Sequence, residues 1–162
     1  MNVKPWEHYF LSGFGSGWLK PAPGTWGTLA SLPVFALLFG ASGTLLMMLC
    51  ATLLVTLFGC WLCARALPQL VDEDPGWIVI DEWAGQWLTL SLCLSLYDAL
   101  ALPFSVAWVW GASFVLFRLF DILKPFPIGP CEHLGPPWWS IIADDLLAGL
   151  MAFGVFAIAV WM

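Results

Sequence analysis

The sequence carries little charge, and what it carries is mostly negative. Charged residues make up only 10% of the 162 residues, whereas hydrophobic residues make up 61%. A soluble domain has about 25% charged residues, so this chain cannot cover a soluble surface. Five Lys and Arg against 11 Asp and Glu also exclude a nucleic-acid binder, which needs a basic footprint. The composition therefore predicts a small all-α polytopic membrane bundle with one domain over residues 1–162.

Histidine and cysteine are scarce as well. His8 and His133 are the two histidines, and the five cysteines lack the spacing of a disulfide framework or a zinc site. Cys60 and Cys63 form a C-x-x-C pair inside an apolar run, which favours core packing over redox or metal chemistry. The P-loop, the dinucleotide-binding fingerprint and the G-x-S-x-G elbow are also absent.

Long hydrophobic runs are what the sequence has in quantity. A helix needs about 20 residues to cross a bilayer, and the second, third and fifth runs reach that length. The fourth run is slightly short, and the first is short and contains Pro33, so a re-entrant segment remains an alternative there. The pattern predicts about five transmembrane segments. The runs are 26–40, 44–66, 83–102, 104–120 and 140–161.

The basic residues predict the orientation. Five crossings place every Lys and Arg on one side, whereas four crossings would separate Lys4 and Lys20 from the others. The positive-inside rule therefore favours five crossings, with the N-terminus cytoplasmic and the C-terminus outside. Residues 1–12 contain no apolar core of the kind found in a cleavable signal peptide. The basic residues are Lys4, Lys20, Arg65, Arg118 and Lys124.

The same topology collects four unusual segments at one membrane face. Glycine-rich stretches at 13–17 and 20–28 could offer backbone amides to an anion, or simply form a flexible loop. Asp81-Glu82 and Asp144-Asp145 open the third and fifth runs, where the helix dipole alone would favour acidic residues. The remaining segment contains three charged residues at i, i+3 and i+6 on one predicted helical stripe. Its two basic residues could be membrane anchors, and its acidic residue could be their salt-bridge partner. The three residues are Arg118, Asp121 and Lys124.

Taken together, the acidic residues predict a metal site. Carboxylates that converge at low dielectric repel one another unless they are protonated or hold a cation. Their hard oxygen atoms suit Mg²⁺, and a metal beside Lys, Arg and glycine amides suits phosphate-ester chemistry. The predicted metal ligands are Asp81, Glu82, Asp121, Asp144 and Asp145.

Several of these stretches resemble the phosphatidylglycerophosphatase A family. The resemblance rests on residues 15–28 (GSGWLKPAPGTWGT), 81–85 (DEWAG), 117–127 (FRLFDILKPFP) and the Asp144-Asp145 pair, in the order of the family. It implies a Mg²⁺-dependent phosphatase of the bacterial inner membrane. The implied substrate, a phospholipid in the bilayer, is phosphatidylglycerophosphate, and the products are phosphatidylglycerol and phosphate.

For phosphate-ester hydrolysis, the expected catalytic groups are the five predicted metal ligands together with Arg118 and Lys124. Arg118 and Lys124 would bind the phosphate, and Lys20, Gly24 and Thr25 would contact the head group. The nucleophile stays open between a metal-bound water and a carboxylate that forms an acyl phosphate. Two other functions remain as alternatives: a small cation carrier or channel subunit, and a phosphatidyl transferase, although the signature of the latter is absent. The oligomeric state is not predicted.

Overall fold

The computed structural model describes residues 3–40, 43–72 and 74–162, and this part of the chain contains helices and no strand. Five helices of 17 to 25 residues form the bundle. Two shorter helices, α1 (Pro5–Leu11) and α6 (Ile128–Cys131), lie in the connections. The long helices are α2 (Pro23–Phe39), α3 (Leu45–Ala66), α4 (Ile80–Ala99), α5 (Val106–Leu123) and α7 (Pro137–Trp161).

Each predicted apolar run corresponds to one long helix, but the helices extend into the polar residues beside the runs. α4 begins three residues before its run, and α7 begins at Pro137. α2 continues through Pro33 as one helix, so the first run is not broken there. Its buried residues Thr28, Ser31 and Phe35 lie at helical spacing on one face.

Three of the long helices are sufficiently long and apolar to cross a membrane. They are Leu45–Gln69, which includes the short turn after α3, Val106–Leu123 and Pro137–Trp161. α2 is shorter, while α4 has 20 residues but includes Asp81, Glu82 and Asp98. Large apolar side chains such as Leu37 and Trp108 are exposed, as expected where lipid covers the surface. The predicted helical membrane bundle is confirmed.

α4 lies at the centre and packs against α2, α3, α5 and α7. Its contact with α7 depends on two glycines, Gly85 and Gly149. A Cβ atom on Gly149 would lie 2.7 Å from the Gly85 carbonyl oxygen, and one on Gly85 would lie 2.6 Å from the Asp145 carbonyl oxygen. Small residues of this kind let two membrane helices approach closely. The close approach sets the distance between the acidic residues of α4 and those of α7.

An ion pair between the buried Glu7 and the exposed Arg65 joins α1 to α3 away from this contact. The Arg65 Nε atom donates to Glu7 Oε1 at 2.8 Å, and the Lys4 backbone N–H donates to Glu7 Oε2 at 2.9 Å. The backbone hydrogen bond from Lys4, followed by that from Arg65, holds the pKa of Glu7 below its usual value. The pair therefore fixes the N-terminal helix to the bundle.

Candidate active site

A cavity of about 390 Å³ lies where α2 and α4 begin and α5 ends. Its wall includes every acidic and basic residue to which the sequence assigned a catalytic role, together with Gly24 and Thr25. The structure thus brings four separate segments to one place. The charged residues of the wall are Asp74, Asp81, Glu82, Arg118, Asp121, Lys124, Asp144 and Asp145.

Three of the predicted metal ligands face one another. Each of Asp81, Glu82 and Asp145 offers a carboxylate oxygen, and these oxygens all lie within 4.8 Å of one another. Asp81 and Asp145 are buried, and among residues 3–40, 43–72 and 74–162 the buried Glu82 Oε2 atom has no hydrogen-bond partner. A buried acceptor without a partner costs free energy unless water or a cation meets it. The donor set therefore fits a hard divalent cation such as Mg²⁺.

The sequence predicted that the Asp144-Asp145 pair lies at the start of its helix, and this prediction is wrong. α7 begins at Pro137, so the pair lies two turns inside it. The helix dipole acts within the first turn and therefore does not account for these acids. Both are buried, and Gly149, one turn later, lets α7 bring Asp145 close to α4.

Arg118 lies among acceptors from three helices. Its guanidinium pairs with Asp121 on the same helix, and its Nη1 atom lies 3.9 Å from Glu82 Oε1. Nη1 also donates to Thr28 Oγ1 at 3.3 Å. Asp121 is thus placed beside a cation, outside the group of three carboxylates. The predicted i, i+3 contact between Arg118 and Asp121 is present.

Lys124 leaves the predicted stripe. It caps α5 in a left-handed conformation, with φ of 43°, which glycine more often supplies at a helix end. Its ammonium group donates to Asp144 Oδ2 at 2.7 Å and pairs with Glu132. Burial alone would lower the pKa of Lys124, but the hydrogen bonds to Asp144 and Glu132 outweigh burial and raise it. Lys124 is therefore a fixed positive charge in the wall.

The glycine-rich stretches separate into two places. The amides of residues 13–17 donate to carbonyl groups of residues 9–13, and the segment packs on Val79 and Trp83, so the prediction that it offers amides to the site is wrong. Residues 23–28 are the first turns of α2 and not a loop, and Gly24 and Thr25 line the cavity. A Cβ atom on Gly24 would collide with Glu82 Oε1 and lie 3.1 Å from Arg118 Nη2. Lys20 is exposed and lies outside the cavity wall.

Comparison with known proteins identifies the family. The family model described as phosphatidylglycerophosphatase A matches residues 9–160. The chain belongs to the phosphatidylglycerophosphatase A family. It is therefore an enzyme, a phosphatase, and the resemblance in the sequence is confirmed.

Relatives with similar identity carry two different names. Phosphatidylglycerophosphatase A of Haemophilus influenzae is 40% identical over 96% of this chain and 90% of its own. The protein of the same name in Escherichia coli is 36% identical over 93% of this chain and 81% of its own. A Bacteroides thetaiotaomicron protein named provisionally as a phosphatidylinositol-3-phosphatase is 38% identical over 93% of this chain and 91% of its own. No solved structure matches the chain.

Three residues of the site were missed by the sequence reasoning. Asp74, in the connection before α4, lines the cavity, and burial raises the pKa of its carboxyl group although Lys124 opposes the shift. Glu132 pairs with Lys124, and Thr28 accepts from Arg118. An acidic residue close before the Asp81-Glu82 pair was a signal that could have identified Asp74. The other two depend on tertiary contacts that spacing does not reveal.

Proposed function

We propose that the protein is a Mg²⁺-dependent phosphatase that hydrolyses phosphatidylglycerophosphate to phosphatidylglycerol and inorganic phosphate. One observation carries the proposal: a single cavity joins a group of close carboxylates to Arg118, Lys124 and the first turn of α2. Carboxylates for a metal and cations for a phosphate are the parts that phosphoryl transfer needs. One domain, residues 1–162, supplies all of them.

Asp81, Glu82 and Asp145 would hold the Mg²⁺. Their oxygens are close together, and Glu82 Oε2 has no hydrogen-bond partner in the described part of the chain. When bound, the ion would neutralise these carboxylates and stabilise negative charge on the phosphoryl oxygens. Asp121 and Asp144, which the sequence also assigned to the metal, would instead hold Arg118 and Lys124 in place.

Arg118 and Lys124 would bind the phosphate. Arg118 is held by Asp121 and Thr28, and Lys124 by Asp144 and Glu132, so both cations are oriented before substrate arrives. Oriented charges stabilise a transition state without further reorganisation. The N–H groups of Gly24 and Thr25 would add donors, because α2 has no side-chain cap at its start.

The P–O bond would be cleaved by water or by a carboxylate. In the first case a cavity carboxylate takes a proton from the water that attacks phosphorus. In the second case a carboxylate forms an acyl phosphate, which water then hydrolyses. We favour attack by water. A substrate with a chiral phosphorus distinguishes them, because direct attack inverts the configuration and two successive displacements retain it.

The decisive experiment measures phosphate release from phosphatidylglycerophosphate in Mg²⁺ and in EDTA. We expect phosphate release in Mg²⁺ and none in EDTA. Release from phosphatidylinositol 3-phosphate, the lipid type that the name of the Bacteroides relative indicates, should be slower. Asp98→Asn should release phosphate at the normal rate, since Asp98 is exposed near the far end of α4 and outside the cavity wall. A cation carrier would release no phosphate, and a phosphatidyl transferase would require a second lipid-linked or alcohol substrate.

The site would lie at the cytoplasmic face of the inner membrane, with the N-terminus cytoplasmic. Five crossings put all five basic residues on that side, and Arg118 and Lys124 line the cavity itself. A phosphate at this depth can be bound while the acyl chains stay in the bilayer. A reporter fused after Met162 should be found outside the cytoplasm, and a cytoplasmic signal would contradict the orientation.

A further inference from the structure

The cavity is bounded on one side by the first turn of α2 and the last turns of α5. α2 contributes Gly24 and Thr25, and α5 contributes Arg118 and Ile122. α2 packs chiefly on α4 and meets α5 at few places, one of which is the hydrogen bond from Arg118 to Thr28. Beyond this hydrogen bond, the cavity wall between the two helix ends is a gap.

Apolar side chains line the outside of this gap. Ile122 is 64% exposed although it forms part of the cavity wall. Leu119 precedes it by three residues and Val115 by seven, and both are exposed, so the three lie on one stripe of α5. Because α5 ends at the cavity, the stripe begins beside the charged residues and continues along the outer surface of α5 toward the middle of the helix.

Another side of the cavity has different chemistry. A second cavity of about 510 Å³ shares Asp74, Ile141 and Asp144 with the first. Glu132, His133 and Ser140 complete its polar wall, near the connection from α6 to α7. This side suits water and a water-soluble product, whereas the gap between α2 and α5 suits hydrocarbon.

We propose that the lipid substrate enters sideways from the bilayer through the gap between α2 and α5, with its acyl chains along the stripe of Val115, Leu119 and Ile122. The inference rests on the proposed function, in which the substrate is a phosphate monoester of a lipid. Arg118 attracts the phosphate into the cavity, while the exposed stripe keeps the chains in an apolar environment. Ile122 is the residue that the head group and the chains both pass.

The test changes Ile122 to a larger side chain and compares two substrates. Ile122→Trp narrows the gap, so it should raise the KM for dioleoyl phosphatidylglycerophosphate in vesicles about tenfold. The dihexanoyl form, supplied as a monomer in solution, should show a much smaller rise in KM and a similar kcat, because it need not enter from the bilayer. Hydrolysis of the short-chain substrate also shows that the variant is folded.

Leu123→Trp is the matched control. Leu123 lies on the same turn of α5 and is 67% exposed, but it is outside the cavity wall, so this variant should be normal with both substrates. Equal loss with both substrates in Ile122→Trp, an unchanged KM for the long-chain lipid, or equal effects of the two variants would overturn the route. If the unaltered protein releases phosphate from neither substrate, the proposed function itself fails and the route with it.

Discussion

Five carboxylates of the cavity form two groups that differ in their partners. Asp81, Glu82 and Asp145 face one another, whereas Asp121 pairs with Arg118 and Asp144 with Lys124. Asp144 and Asp145 are adjacent in the sequence and still belong to different groups, because one step along a helix turns the side chain by about 100°. An acidic pair on a helix can thus face two different partners. The first group consists of carboxylates that mainly face other carboxylates, and the second of carboxylates that pair closely with a cation.

The largest expected effect comes from removing a carboxylate that faces other carboxylates. Asp145→Asn keeps the shape of the side chain but removes a negative oxygen, so activity should fall by at least about 100-fold, the upper end of the loss seen for outer metal partners. The Mg²⁺ concentration for half-maximal activity should rise. Phosphate release measured across a Mg²⁺ titration checks both quantities.

Asp144→Asn is the comparison for that variant. It loosens Lys124 and leaves Asp81, Glu82 and Asp145 in place, so we expect a loss of about tenfold with an unchanged Mg²⁺ requirement. If both variants shift the Mg²⁺ requirement equally, the division into two groups is wrong.

The next largest effect should come from adding a methyl group at Gly24, beside the contact between Glu82 and Arg118. Gly24→Ala would push Glu82 away from Arg118, because the added Cβ collides with Glu82 Oε1. We expect kcat/KM to fall by about tenfold to 100-fold, which is the range for a disturbed partner of a metal ligand. Gly154→Ala, where a Cβ atom meets nothing within 4 Å, should retain full activity. Equal activity of the two variants would show that α2 does not position the site.

A smaller effect on activity is expected when Lys124, the cation that pairs with Asp144, is replaced. Lys124→Arg keeps the positive charge but replaces a compact ammonium group with a larger planar fork. If Lys124 stabilises the phosphoryl group only in the transition state, kcat and kcat/KM should fall together, by about tenfold. Lys4→Arg, far from the cavity, should have no effect. Normal turnover in Lys124→Arg would leave Arg118 and the start of α2 as the phosphate-binding groups.

The smallest effect concerns Glu7, whose carboxylate has a cation partner outside the cavity. Because the fold lowers the pKa of Glu7, its ionised form stabilises the protein above the usual value of 4.5, and this benefit is lost as pH falls through the lowered value. Glu7→Gln should therefore lower Tm at pH 7, and the difference should narrow below pH 4.5. Activity at pH 7 and moderate temperature should stay close to normal. Thermal unfolding in detergent at several pH values measures the effect.

Much of the fold could be predicted from the sequence, because lipid selects long apolar helices and the motifs lie at their ends. The convergence of Asp81, Asp121 and Asp145 followed from the side of the membrane on which each was placed. The i, i+3 pair of Arg118 and Asp121 followed from helical spacing, but the grouping of Asp145 with Asp81 and Glu82 could not be predicted, since it depends on helix rotation and on the close approach at Gly85 and Gly149. The left-handed cap at Lys124 was also hidden, because i, i+6 spacing assumes that the helix continues.

The central position of α4 has a consequence for how the chain enters the membrane during synthesis. α4 carries acidic residues at both ends and buries Gln86, Thr89 and Ser91, so by itself it partitions poorly into hydrocarbon. α2 and α3 precede it, and α5 and α7 follow. The insertion machinery must therefore hold α4 beside its earlier neighbours until the later helices close around it. Asp81 and Glu82, which line the cavity, are thus among the residues that make this helix depend on its neighbours to enter the membrane.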